Sequence, residues 1–234
     1  MAGPAPPAAR PFSAPVPSPL IESLFCTGIV AAQLSGAPDV TALTPDEARA
    51  CLGVSQKRRD DFAAGRICAR RALREFGYDA FSLLAGDDRR PRWPDGIVGS
   101  ISHTHGFCGV AVADAERYES VGFDVEEVGR VGEELWPNLF TAFERSILEM
   151  RSGAERATLA TLLFSAKEAF YKCRYGVTPG WLDFTDVTIV ADADDERCGT
   201  FAVRCGPQEQ AERTSRVGRY ALSGDLVLTG IATP

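Results

Sequence analysis

The sequence predicts a globular α+β protein: the order of its elements gives the class, and its composition and cysteines give a core that needs no staples. Segments with helical periodicity and segments with strand alternation come in blocks, without the strict alternation that builds a doubly wound parallel sheet. The chain has 234 residues, 45% hydrophobic and 24% charged, enough to bury a core without disulfide or metal staples. Seven scattered cysteines with no CxxC pair fit reduced, mostly buried thiols in a cytoplasmic protein. A net charge of -7 argues against a nucleic-acid binder, and no apolar run reaches the length of a membrane helix.

The elements follow in order. Residues 1–20 hold seven of the 15 prolines and predict a poorly ordered leader, not a secretory signal. Thr44-Pro45-Asp46-Glu47 opens a helix or helix pair with a capping residue and Pro at the first helical position, ending at Gly77. Residues 86–96, rich in Asp, Pro and Gly, are loop. Strands are expected at 97–103, 107–113 and 121–126, and helices at 133–150 and 157–175. Further strands are expected at 187–190, 200–204, 219–222 and 226–231.

Charge is segregated along this plan. Residues 55–75 carry seven basic and three acidic side chains, whereas 114–134 carry eight acids and two arginines. A phosphate ligand and a cation could be held together by such a chain. On the strand at 121–126, Val121, Phe123 and Val125 face one way, and Gly122, Asp124 and Glu126 face the other. The two carboxylates lie about 7 Å apart along the strand. Mg²⁺ between them would remove their repulsion, and Gly122 would leave room for a ligand; the alternative is a solvated acidic face. On the helix at 157–175, Thr161, Ser165, Glu168 and Lys172 fall opposite the apolar arc, with Lys167 on a flank. Glu168 and Lys172 have ordinary ion-pair spacing, or they form part of a metal and phosphate site. Both histidines, His103 and His105, follow a strand. No third ligand has zinc spacing, so a turn role or a phosphate contact remains. Arg59, Arg66 and Arg70 share one helix side, as a solvated face or an anion-binding one.

Four blocks then go together. They are Lys57-Arg58-Arg59…Phe62…Gly65-Arg66…Ala69-Arg70, Pro91-Arg92-Trp93-Pro94-Asp95-Gly96…Gly99-Ser100-Ile101-Ser102-His103, Val121-Gly122-Phe123-Asp124-Val125-Glu126, and Phe164-Ser165-Ala166-Lys167-Glu168-Ala169-Phe170-Tyr171-Lys172. Their wording and order resemble the 4′-phosphopantetheinyl transferases of the siderophore and polyketide-synthase branch. The resemblance spans residues 55–175 and leaves out the leader.

The resemblance implies two similar α+β halves related by a pseudo-two-fold, 21–119 and 120–234, with the active site in the cleft between them. It implies transfer of the 4′-phosphopantetheine arm of coenzyme A to a serine of an acyl, peptidyl or aryl carrier protein. The by-product would be adenosine 3′,5′-bisphosphate. Asp124, Glu126 and Glu168 match the Mg²⁺ set, with Mn²⁺ as a substitute ion, and Lys167 and Lys172 match pyrophosphate contacts. Ser102 and His103 match phosphate contacts, Arg58 and Arg66 the 3′-phosphate end, and Arg90-Pro91 the loop beside the adenine, where relatives often have Lys. Glu168 is the expected base, directly or through water, with Lys172 assisting. The expected protein is a cytoplasmic monomer whose partners are carrier domains of siderophore, nonribosomal peptide or polyketide synthases. The competing readings are a Mg²⁺-dependent coenzyme A or nucleotide pyrophosphatase, a non-catalytic coenzyme A binding module, and a structural interaction protein.

Overall fold

The structure, a computed structural model, describes residues 12–175, 182–205 and 216–234. The first part of the chain comprises β1 (Phe12–Ser13), β2 (Val16–Pro17), α1 (Pro19–Glu22), β3 (Ile29–Ser35), β4 (Ala37–Pro38), α2 (Pro45–Ala50), α3 (Gln56–Leu73), β5 (Ile97–Thr104) and β6 (Phe107–Asp114). The second comprises β7 (Ser120–Glu127), α4 (Trp136–Leu139), α5 (Ala142–Glu149), α6 (Gly153–Arg174), β8 (Val187–Ala193), β9 (Cys198–Cys205), β10 (Arg216–Ser223) and β11 (Leu226–Thr233). Two antiparallel sheets result, ordered β2-β3-β6-β5 and β7-β11-β10-β9-β8, with a short parallel β1–β4 ribbon beside them. The α+β class is borne out.

Local chemistry sets the element boundaries. The expected helix pair is present: a Thr44–Glu47 capping box opens α2, and the Ser55 hydroxyl caps α3. The single helix expected at 133–150 is broken. Pro137 sits at the start of α4, Phe140 is extended, and a Thr141–Glu144 capping box restarts the chain as α5. A box of that kind satisfies the first amides of a new helix and favours a restart over continuation.

Order begins earlier than the leader composition suggests. Val16 and Pro17 pair with Gln33 and Ala32 at the sheet edge, where a proline is tolerated. Ser18 caps α1 and donates to Gln33 Oε1 at 2.6 Å. Residues 1–11 of the leader lie outside the described residues.

Each sheet carries one long helix. Cys68, Ala69 and Ala72 of α3 pack on Val110 and Val112, and Ala166, Ala169 and Phe170 of α6 pack with Phe201 and Val203. A third cluster, with Ile21, Ala111, Val121, Phe123, Val125 and Leu228, joins the two sheets. At about 25 cal/mol per Å² of apolar surface, burial of this kind dominates the stabilisation. The sheets meet where β5 and β7, an edge strand of each, lie side by side.

Candidate active site

Side chains replace a strand ladder along the β5–β7 seam. The Ser100 hydroxyl accepts from Phe123 N at 3.0 Å and donates to Phe123 O at 3.2 Å. Two residues on, the Ser102 hydroxyl accepts from Val125 N at 3.4 Å and donates to Asp124 Oδ1 at 2.8 Å. Both serines lie on one face because strand side chains repeat every second residue.

Helix α6 covers the face of β7 that carries Gly122 and Asp124. Gly122 permits the approach: a Cβ there would overlap the Ala169 carbonyl oxygen and lie 2.8 Å from Cys173 Cβ. The space beside Gly122 is thus filled by α6, not left for a ligand as the sequence suggested. The same packing corrects the alternative of a solvated acidic face. Asp124 is 2% exposed. Its Oδ2 accepts from the Ser165 hydroxyl at 2.8 Å, and its Oδ1 from Lys172 Nζ at 2.6 Å. Lys172 also donates to Ser102 Oγ at 3.0 Å. Ser165 is backed by the Thr229 hydroxyl at 2.8 Å.

The other two acids are half-buried and poorly compensated. Glu126 is pushed up to about 7, first by burial and then by Asp124 and Glu168, against the pull of Lys172 and Arg130. Glu168 is also raised by burial and by Asp124, with Lys172 opposing. Mutual repulsion of this kind marks a place where a cation would be welcome. The donors are all carboxylate oxygens, the type a hard dication takes, so the residues fit Mg²⁺ by chemistry. Among the described residues, no three His, Cys, Asp or Glu side chains are gathered at metal-holding geometry. The Lys172 ammonium provides the positive charge next to Asp124.

Beside this cluster lies a cleft of about 840 Å³ whose walls include Arg90, Pro91, Trp93, Ser100, Tyr171 and Lys172. Arg90 is paired with Asp88, donates to Tyr175 O at 3.0 Å, and lies 4.7 Å from the centre of the Tyr175 ring. The walls carry Arg89, Arg90, Arg92 and Lys172 beside Asp87, Asp88 and Glu119, and the cations and rings among them could meet a phosphorylated nucleotide.

Comparison with known proteins bears directly on this geometry. The model of the 4′-phosphopantetheinyl transferase N-terminal domain matches residues 46–113, and that of the 4′-phosphopantetheinyl transferase superfamily matches residues 120–227. The chain belongs to the 4′-phosphopantetheinyl transferase superfamily. It is 37% identical over 203 residues to 4′-phosphopantetheinyl transferase Svp of Streptomyces mobaraensis, covering 84% of this chain and 81% of the relative. It is 32% identical over 222 residues to 4′-phosphopantetheinyl transferase Npt of Nocardia iowensis, covering 91% and 99%. Enterobactin synthase component D of Salmonella typhi is 43% identical over 119 residues, covering 50% of this chain and 48% of the relative. These similarities put the transferase in the siderophore and polyketide-synthase branch.

The transferase brings together most, but not all, of the expected site residues. Asp124, Ser102 and Lys172 are in direct contact, and Glu126 and Glu168 feel their charges. Arg90 and Pro91 line the cleft. Lys167 is elsewhere, which corrects its expected pyrophosphate role. It is fully buried and spends its three protons on Glu144 Oε2 at 2.7 Å and on the Leu139 and Phe184 carbonyls at 2.8 Å each. Neighbouring residues on a helix point about 100° apart, and here Lys167 turns to Glu144 while Glu168 lies near Lys172 and Asp124.

The basic face divides in the same way. Arg66 is 9% exposed; its Nε donates to Leu83 O at 3.0 Å, its guanidinium lies 3.8 Å over the Phe62 ring, and burial lowers its basicity. It is not among the cleft walls. Arg70 grips both oxygens of the buried Glu47 at 3.0 and 2.9 Å, so it is structural. Arg58 is exposed on the first turn of α3. His103 lines a second cavity of about 440 Å³ with Lys57, Asp61 and His105. Sequence reasoning assigned no role to Ser100 or Ser165. Ser165 was visible on the polar arc with Glu168 and Lys172, but only the fold shows that it meets Asp124.

Proposed function

We propose that this transferase moves the 4′-phosphopantetheine arm of coenzyme A to a serine hydroxyl of an acyl, peptidyl or aryl carrier protein, with Asp124, Glu126 and Glu168 as ligands for Mg²⁺. The new bond joins the serine oxygen to the β-phosphorus, and the bond to the adenosine 3′,5′-bisphosphate oxygen breaks. The observation that supports the site assignment is the Lys172–Asp124 pair at the β5–β7 seam, with Glu126 and Glu168 close enough to feel its charges, beside the cleft lined by Arg90 and Lys172. Two sheets, each backed by one long helix, support two similar halves related by a pseudo-two-fold, 21–119 and 120–234, with the substrate in the cleft between them.

Mg²⁺, or Mn²⁺ in its place, supplies Lewis-acid charge to the pyrophosphate oxygens when bound. Lys172, which donates to Asp124 Oδ1 and Ser102 Oγ in this structure, would offer its ammonium to the same oxygens. Glu168 takes the serine proton, directly or through water. A half-buried carboxylate with a raised proton affinity suits that task. Ser102 and His103 contact phosphate groups, Arg58 and Arg90 bind the nucleotide end, and Pro91 flanks the base. The expected partners are carrier domains of siderophore, nonribosomal peptide or polyketide synthases.

The test is release of adenosine 3′,5′-bisphosphate from coenzyme A, with and without an apo-carrier domain. Release that requires the carrier supports transfer. Release to water alone identifies a pyrophosphatase, and coenzyme A binding without release identifies a binding module.

A further inference from the structure

His103 projects from the end of β5 toward α3, where it meets a short chain of charges. Its Nδ1 lies 3.9 Å from Asp61 Oδ1, and Asp61 Oδ2 accepts from Lys57 Nζ at 2.7 Å. All three residues line the second cavity, with Asp60 and His105 on the same wall. The His103 side chain is 45% exposed and that of Asp61 26%, so solvent screens this pairing in part. None of the four family blocks assigns Asp61 a role, and it contacts none of the three acids at the seam.

We infer that Asp61 is a positioning residue: its carboxylate faces the Nδ1 edge of His103 and favours the imidazolium when a phosphate monoester arrives at Nε2. The inference rests on the reading of His103 as a phosphate contact. An imidazolium donates from both nitrogens, whereas a neutral ring with its proton on Nδ1 offers a lone pair to the incoming oxygen. Asp61 therefore matters by biasing the charge of the ring, and Lys57 holds the Asp61 carboxylate in place. The charged groups around the ring are Asp61 and Lys57 from α3, Lys172 from α6 and Asp124 from β7. In the free protein, burial and the two lysines lower the proton affinity of His103 below its ordinary value, and Asp61 is the largest influence against them. A bound phosphate adds negative charge on the far side, so the ring takes up a proton on binding.

The chain has two histidines, so proton NMR of the full protein can follow both, with His105→Gln assigning them. The probes are adenosine 3′,5′-bisphosphate and adenosine 5′-monophosphate, which lacks the 3′-phosphate. In the wild type, the His103 midpoint should rise with the bisphosphate and not with the monophosphate. Asp61→Asn should lower the midpoint in the free protein and weaken bisphosphate binding about twofold to fivefold, the upper range of a solvent-screened ion pair. Monophosphate affinity and kcat at saturating coenzyme A should stay at wild-type values. Asp61→Glu keeps the carboxylate and should restore both readouts. If Asp61→Asn leaves midpoint and affinity unchanged while His103→Gln weakens the bisphosphate alone, the inference fails and the phosphate role of His103 stands. If His103→Gln weakens neither ligand, or both equally, that role fails and the inference with it. If Asp61→Glu behaves like Asp61→Asn, charge is not the cause and the inference is overturned.

Discussion

Replacing Lys167 by methionine separates a structural role from a coenzyme contact. The change keeps a long unbranched side chain but removes the ammonium that binds Glu144, Leu139 O and Phe184 O. Lys167 and Glu144 side chains are both 0% exposed. Glu144 would keep the Ile189 and Thr141 amides at 2.8 Å each, but no cation. Breaking a buried pair from one side costs about 3–5 kcal/mol, out of a total stability of about 5–15 kcal/mol. In a chain of this size each kcal/mol moves Tm by about 2–4 °C, so Tm should fall by about 6–20 °C. Calorimetry gives Tm, and transfer kinetics at a temperature where the variant is folded give KM for coenzyme A, which should stay within about twofold of wild type. Adding Glu144→Gln should recover part of the loss, since no uncompensated charge is then buried. An unchanged Tm with a KM raised tenfold or more would refute the burial argument and return Lys167 to the coenzyme.

Other consequences are equally open to measurement. Gly122→Ala drives a methyl into the Ala169 carbonyl and toward Cys173; overpacking of this kind costs about 1–3 kcal/mol or more. It should also lower kcat by shifting α6, which carries Glu168 and Lys172, and wild-type Tm and kcat would contradict the close contact. In metal-free protein, Glu126 takes up its proton at about 7 instead of its ordinary 4.5. A raised folded-state value gives stability that is complete below the ordinary value and is lost as pH rises through 7. Thermal unfolding in EDTA should therefore show wild type losing Tm between pH 5 and 8 more steeply than Glu126→Gln, and parallel curves would reject the assignment. Arg66→Ala should destabilise the fold, because Nε donates to Leu83 O and the guanidinium lies over Phe62, and a KM raised alike for coenzyme A and 3′-dephospho-coenzyme A would mark a role in the fold alone. A rise confined to native coenzyme A would instead support a 3′-phosphate role.

Much of this molecule is legible in the sequence where local signals and global packing agree. The capping residues of α2, the loop at 86–96, and the strands from β5 onward follow from alternation and turn chemistry. β3 is not predicted, although Ile29-Val30-Ala31-Ala32 is an apolar run closely following Gly28. Its alanines carry little strand preference, and sheet position decides such segments. The 133–150 helix misled because its apolar spacing is continuous, while Pro137 and the Thr141 cap interrupt the backbone.

The site shows the same division. Alternation places Asp124 and Glu126 on one face, but periodicity along one element says nothing about what covers that face. Gly122 was read as room for a ligand because a missing side chain looks the same whether a ligand or a helix approaches. Lys167 and Glu168 are adjacent in a motif and go to opposite tasks, which only the packing of α5 against α6 decides. The serine zipper between β5 and β7 joins residues over 20 positions apart, a distance no local pattern reports.

The most direct test of the central claim is intact-mass spectrometry of an apo-carrier domain after incubation with coenzyme A and the enzyme. Wild type with Mg²⁺ should add one phosphopantetheine arm per carrier. EDTA, Asp124→Asn and Glu168→Gln should each reduce that addition to near background while the variants remain folded. Full modification in EDTA, or by either variant, would contradict the assignment of these acids to a metal-dependent transfer.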